Sequence, residues 1–303
     1  MPIPAASPAP CPARRSLLLG LGAATLSQPL ALPAALAAPS GRLDLGALEA
    51  RHGGRLGVCA VFGSTRVGWR LAERFAYCST FKLYLAAFVL DRVRRGLDRL
   101  DRAVAITQAD MVPHGPVTQP AVGGTLTIER LCKATVEVSD NPAANILIRE
   151  MGGLSAFQAW YRAIGDRVTR VDRWETDLNS AVPGDPRDTT TPDQYATNLD
   201  RVLRRGLLSA EHLSLLERWI VETPTGAGRI KAGLPAGHRL GHKTGTGARA
   251  SHNDIGIIWT PSGASALLVV FFTGARTASD EQIDAVVADA TRLALVAVGL
   301  SPG

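Results

Sequence analysis

Apolar residues fall into two kinds of run along this chain. Continuous runs lie near the start, at Leu56-Gly57-Val58-Cys59-Ala60-Val61-Phe62, and near the end, at Asp254-Ile255-Gly256-Ile257-Ile258-Trp259 and Ala266-Leu267-Leu268-Val269-Val270-Phe271-Phe272. Their length and their β-branched and aromatic content predict buried strands. Between them apolar positions recur at helical intervals. Phe81, Leu85, Phe88, Val89 and Val93 predict a helix that buries one face. Asn141 before Pro142, Thr191 before Pro192, and Ser209 are N-cap candidates, with Gly152-Gly153 and Gly206 as stops. The last helix opens Ser279-Asp280-Glu281-Gln282, a capping-box pattern, and carries Ile283, Val286, Val287, Ala290 and Leu293 on one face. Strands at both ends around a helical middle predict an α/β fold of the α+β type. An antiparallel sheet formed by both chain ends is flanked by helices, and an all-helical domain is inserted. The expected bounds are 38–75 and 221–303 for the α/β domain and 76–220 for the helical one. A cleft between the two is the natural binding site.

Composition removes some classes of function. With 46% hydrophobic and 20% charged residues in 303, the chain is globular. Residues 1–37 read as an export signal: Arg14-Arg15, the run Ser16-Leu17-Leu18-Leu19-Gly20-Leu21, and small residues ending Ala35-Leu36-Ala37. Either a general secretory or a twin-arginine route fits, and the protein is expected to be periplasmic or secreted. Gln28, Pro29 and Pro33 break the apolar run, so no stable membrane anchor is expected. Removing the signal lowers the formal charge from +6 to +4, and no basic block alternates with aromatics, so nucleic acid is not an expected partner. Cys59, Cys78 and Cys132 remain after the signal, an odd number, and read as small buried hydrophobes.

The candidate chemistry begins at Ser79-Thr80-Phe81-Lys82, where the three-residue spacing puts a hydroxyl and an ammonium on one face at a helix start. In a first helical turn, free N–H groups and the positive end of the dipole can stabilise an oxyanion. By itself this pattern is common. Ser139-Asp140-Asn141 follows in a short connection, where a hydroxyl can pass a proton to a leaving nitrogen and the Asn141 amide can bind a substrate amide. Lys243-Thr244-Gly245-Thr246-Gly247 reads as a strand edging the cleft. Its lysine and hydroxyls can bind a carboxylate, and its glycines permit close approach. Glu175-Thr176-Asp177-Leu178-Asn179 lies in a long, charge-rich irregular stretch from Arg170 to Thr190. An ion pair such as Arg173 with Asp188 can close it into a compact loop. Glu175 and Asn179 can then hold one water between a carboxylate base and an amide.

In this order the four elements resemble a class A serine β-lactamase. The resemblance spans the chain after the signal and includes Glu73-Arg74-Phe75, the Arg170 to Thr190 loop, and Thr225-Gly226. It implies a β-lactamase/transpeptidase-like fold and hydrolysis of the β-lactam amide of penicillins and cephalosporins through a serine acyl-enzyme, conferring resistance. Carried over, Ser79 is the acylated nucleophile, Lys82 a proton acceptor or relay, and Ser139 the donor to the leaving nitrogen. Glu175 with Asn179 positions the hydrolytic water, and either Glu175 or Lys82 is the acylation base. Lys243, Thr244 and Thr246 bind the substrate carboxylate and Asn141 its side-chain amide. The backbone N–H groups of Ser79 and Thr246 form the oxyanion hole, and Asn145 tethers the Glu175 loop. The implied partners are small-molecule β-lactams only, with no metal or other cofactor, and the protein is expected to be a monomer.

Several positions depart from the family pattern. Thr176 stands where many members have a proline in a cis bond. His252 lies near the position where some members carry an arginine, and Arg229 occupies the place from which others supply that charge; it is assigned to carboxylate binding. His242 replaces a usually acidic residue beside Lys243, and either alters its electrostatics or points away. His114 stands where an aromatic often gates the cleft. Cys78 precedes the nucleophile, but its partner position in carbapenem-hydrolysing relatives is Gly247, so that disulfide cannot form. The alternatives are a penicillin-binding D-Ala-D-Ala peptidase and a non-catalytic β-lactam sensor. Glu175 and Asn179 speak against the first, and the lack of a membrane signalling module after the signal speaks against the second. A zinc hydrolase has no support, since His238 and His242 stand alone without a His-x-His-x-Asp cluster.

Overall fold

The computed structural model describes residues 40–275 and 277–300, and the export signal read in residues 1–37 lies outside them. Along the chain come β1 (Ser40–Arg42), α1 (Gly46–His52), β2 (Arg55–Phe62), β3 (Thr65–Trp69) and β4 (Phe75–Ala76). A short 3-10 turn, Cys78–Thr80, then leads into α2 (Phe81–Arg94). After β5 (Ala103–Ala105) and β6 (Thr125–Thr127) come α3 (Ile128–Glu137), α4 (Asn141–Glu150) and α5 (Gly153–Ala163). Following β7 (Thr189–Thr190) are α6 (Pro192–Leu203), α7 (Ala210–Glu222), the one-turn α8 (Ile230–Gly233), β8 (Arg239–Gly247), β9 (Ser251–Trp259), β10 (Ser265–Thr273) and α9 (Asp280–Ala297).

The main sheet has six strands in the order β1-β3-β2-β10-β9-β8, so strands from both chain ends interleave at its centre. Val269 of β10 faces Cys59 of β2 on one side and Ile255 of β9 on the other. The sheet is antiparallel except for β1, which runs parallel to β3. Alternation along β10 divides its continuous apolar run between two cores. Leu267, Val269 and Phe271 join the core under the helices. Ala266, Leu268, Val270 and Phe272 join the second core, under α9 and α1. A strand covered on both faces has no polar face to show, which is why its sequence lacks alternation.

Three local expectations are corrected. The helix opening at Phe81 is not buried on one face only: every residue of α2 from Phe81 to Asp91 is buried, because α3, α4, α5 and α7 pack around it. Asn141 is not the cap of α4. Asp140 is, accepting from the Ala143 N–H at 2.8 Å, and the Asn141 side chain bonds Lys82 and the Pro113 carbonyl instead. Leu293 is 47% exposed, and Ala294 takes its place in the α9 core face. At 100° per residue Leu293 lies about 80° from Ile283 and about 20° beyond Val286, at the outer margin of the stripe. The caps Thr191 and Ser209 and the Ser279–Gln282 capping box form as read.

Candidate active site

Ser79 sits in the 3-10 turn just before α2, one turn earlier than a helical first turn would place it. Cys78, ahead of it, has a φ of 48°, which swings the chain out of β4 and presents the serine beside β8. Close approach of β8 depends on two glycines. A Cβ on Gly245 would fall 2.9 Å from Tyr77 O and 3.1 Å from Ser79 N, and one on Gly247 would fall 2.6 Å from Cys78 Sγ. Any side chain there would push the strand off the nucleophile's turn. The same crowding explains Cys78: it is a free, buried thiol beside a glycine, its pKa pushed up to about 12 by burial and then by the Glu175 charge.

Lys82, on the first turn of α2, is fully buried, and its ammonium is the hub of the site. It donates to the Ser139 carbonyl at 2.8 Å and the Ser139 hydroxyl at 3.3 Å, and also to Asn141 Oδ1. Glu175 Oε1 lies 3.0 Å from the same nitrogen. That oxygen also accepts from Ser79 Oγ at 3.3 Å, so one carboxylate oxygen touches both the candidate nucleophile and the candidate relay. Burial pushes the Lys82 pKa down, opposed by the Glu175 charge. Ser139, at a φ of 59°, lies between α3 and α4, and the second amide atom of Asn141, Nδ2, donates to Pro113 O at 2.8 Å. Asp140 holds this connection: besides capping α4 it accepts from Val117 N, Thr118 N and Thr118 Oγ1 at 2.8 to 3.0 Å. Sequence reading named its neighbours and gave it no part of its own, although an Asp three residues before the Ala143 N–H is a cap signal.

Glu175 is held from three directions. Asn145 on α4 accepts from its N–H and donates to its carbonyl, both at 2.9 Å. Asn179 Nδ2 donates to Oε2 at 2.5 Å, and the peptide bond to Thr176 is cis. The surrounding loop closes as expected on Arg173 and Asp188, 2.5 Å apart, with Asp188 Oδ1 also accepting from Asp172 N and Arg173 N.

The opposite wall is β8, the sheet's edge strand. Lys243 is fully buried and donates to Thr244 O at 2.9 Å; burial and the nearby Lys82 charge push its pKa well down, against Asp254 and Glu175. Thr244 Oγ1 pairs with Thr225 Oγ1 at 2.9 Å. Arg229 reaches the strand from the start of α8: Nη1 donates to Gly245 O and Asn253 O, and Nη2 donates to Thr246 Oγ1 at 2.8 Å. Its Nε donates to Asp284 on α9 at 2.7 Å, and the same Asp284 oxygen lies 2.7 Å from His252 Nδ1. Burial raises the Asp284 pKa, but the His252 hydrogen bond and the Arg229 charge hold it below the usual carboxylate range. Asp284 was missed by sequence reading because it falls on the polar side of an amphipathic helix. His242 is buried on the same face of β8 as Thr244, both side chains close to Gly226, and its Nδ1 lies 2.9 Å from the buried Asp254. His114 is exposed at the rim, with Nε2 2.8 Å from Val138 O.

The geometry therefore collects Ser79, Lys82, Ser139, Asn141, Glu175 and Asn179 into one hydrogen-bonded group, and Lys243, Thr244, Thr246 and Arg229 into a cationic wall beside it. Such a pair of walls can transfer an acyl group from an anionic substrate.

A family model described as the beta-lactamase enzyme family matches residues 43–298. The chain is 39% identical over 297 residues to beta-lactamase L2 of Stenotrophomonas maltophilia, covering 93% of this chain and 98% of the relative. It is 38% identical to the carbapenem-hydrolyzing beta-lactamase KPC of Klebsiella oxytoca, covering 84% of this chain and 87% of the relative. Among solved structures, an ancestral class A beta-lactamase is 46% identical with a TM-score of 0.81, over 84% of this chain and 98% of that one.

Proposed function

The chain belongs to the class A serine β-lactamases, resistance enzymes that hydrolyse the β-lactam amide bond, and from that premise we propose how its residues divide the reaction. Ser79 Oγ attacks the lactam carbonyl, and Glu175, the acceptor already 3.3 Å away, takes its proton. The developing oxyanion lies between the N–H groups of Ser79 and Thr246. Ser139 protonates the leaving nitrogen and is resupplied by Lys82, 3.3 Å from its hydroxyl, and Lys82 takes back the proton held by Glu175, 3.0 Å away. Glu175, again a carboxylate, and Asn179 then position a water on the acyl-enzyme, and Glu175 accepts its proton and returns it to Ser79 Oγ as the ester is cleaved. Lys243, Thr244, Thr246 and Arg229 bind the substrate carboxylate, and Asn141 the side-chain amide.

The observation that carries this reading is the single oxygen Glu175 Oε1 in contact with both Lys82 and Ser79. A base so placed turns a trapped acyl-enzyme into one that turns over, which separates this reading from a penicillin-binding peptidase or a sensor. The test is Glu175→Ala mixed with a penicillin and followed by mass spectrometry. A long-lived adduct on Ser79 is expected; rapid loss of the adduct would remove Glu175 from deacylation.

The protein is further read as an exported monomer, acting in the periplasm or outside the cell after cleavage near residue 37. The Arg14-Arg15 and leucine-rich sequence supports export. The sharing of one sheet by strands from residues 55–69 and 239–273 supports an α/β domain made from both chain ends around a helical insertion.

A further inference from the structure

A cavity of about 880 Å³ opens on the far side of the Glu175 loop and contains none of the residues assigned above. Its walls come from three places: loop residues 181–187, the approach to β4 at Glu73 and Arg74, and the turn from β8 to β9 at Arg249 together with the end of β10. Four guanidinium groups line it, against two carboxylates. Arg55 is paired with Glu73 at 2.7 Å, and Arg187 with Asp185 at 2.8 Å. The other two have no carboxylate partner among the described residues. Arg74 donates to Val168 O and Thr189 Oγ1, and Arg249 is exposed, its side chain in no hydrogen bond with any of the described residues. Glu73 is no reserve of negative charge for them, since Arg70 also holds it at 2.9 Å. Ala181, Val182, Pro183 and Ala275 add an apolar share to the same lining.

We propose that this cavity is a binding site for a small organic dianion, a dicarboxylate with an apolar spacer, its two ends taken by Arg74 and Arg249. Planar guanidinium forks suit carboxylates, and two unpaired cations in one recess call for two anionic groups. The volume lies within the range of small-molecule sites. The apolar share of the lining distinguishes an organic spacer from a compact inorganic anion. The position of Arg249 is fixed by its backbone, whose carbonyl accepts from Gly274 N at 2.8 Å. One residue earlier, Ala248 N donates to Asn179 O at 2.9 Å, so the turn that carries Arg249 is bonded to the loop that carries Glu175. A bound dianion would tie the turn to loop residues 181–187 and slow their exchange with solvent.

Calorimetric titration with succinate, adipate and inorganic pyrophosphate tests the site on the mature enzyme, with Arg249→Glu as the variant and Arg130→Glu, an exposed arginine on α3, as the charge control. Saturable binding of a dicarboxylate is expected, weakened about tenfold or more in Arg249→Glu and unchanged in Arg130→Glu. It should leave penicillin KM unaltered, and amide exchange of residues 181–187 should slow. Absence of saturable binding, equal weakening in both variants, or binding competitive with penicillin, which would place the anion on Lys243 and Arg229, overturns the proposal. Pyrophosphate binding as tightly as the best dicarboxylate overturns the ligand class. None of these readings depends on the role given to Glu175.

Discussion

On the helical wall of the cleft Lys82 lies 3.0 Å from Glu175, and both are fully buried. On the strand wall Lys243 is equally buried, yet among the described residues it donates only to a main-chain carbonyl, and its cationic neighbour Arg229 is matched by one carboxylate that His252 shares. In the first wall the opposite charges touch, whereas in the second no carboxylate among the described residues is in contact with Lys243, because Asp254 faces His242 and the Ile230 N–H. Burial pushes the Lys82 pKa down against the Glu175 charge, and the easier release of its proton suits a relay. Unpaired buried cations are costly until an anion arrives, so the second wall gains most from a substrate carboxylate. One cleft thus separates moving protons from holding charge.

Three measurements bear on that division. The largest effect is expected from Lys82→Ala, which empties the hub between Ser139, Asn141 and Glu175. The acylation rate constant should fall by about 10²–10⁴, and by the same factor for a penicillin and its carboxylate ester. A loss confined to the free acid would move Lys82 to the binding wall. Next, Arg229→Ala should lower kcat/KM for the free acid by about 10- to 100-fold and leave the ester nearly unaffected. An unchanged kcat/KM would return the role to His252 or another group.

The third effect is the smallest and concerns pH. Because the Lys243 pKa lies well below its ordinary 10.5, its positive charge is present at low pH and lost as pH rises through that lowered value. KM for a carboxylate substrate should therefore climb on an alkaline limb that begins well under pH 10.5, while KM for the ester stays flat. A KM for the free acid that is flat up to pH 10.5 would show that Lys243 keeps its proton or does not hold the carboxylate.

Legibility differed along the chain for physical reasons. The apolar runs that became β2, β9 and β10 were readable because full burial on both faces demands an unbroken apolar sequence. Cap chemistry at Thr191, Ser209 and Ser279 was readable because it is local. At α4 two local candidates stood side by side, and the choice fell to Asp140 because its carboxylate also satisfies the amides of Val117 and Thr118, more than twenty residues away. The full burial of α2 was not readable, since its sequence could not say how many helices would surround it. Nor could the last helix announce that Asp284 meets Arg229, a residue 55 positions earlier.

What the sequence by itself determined is the set of chemical groups and their order: a hydroxyl and an ammonium three residues apart, Ser139 with Asn141, Glu175 with Asn179, and a Lys-Thr-Gly strand. These are identities and short spacings, which survive without a fold. Only the tertiary structure decided that one Glu175 oxygen touches both Lys82 and Ser79, that Arg229 leans on Asp284, and that Arg74 and Arg249 share a recess without carboxylates to match them. Such pairings depend on distances between segments far apart in the chain, and those are fixed by packing of the two cores around the sheet.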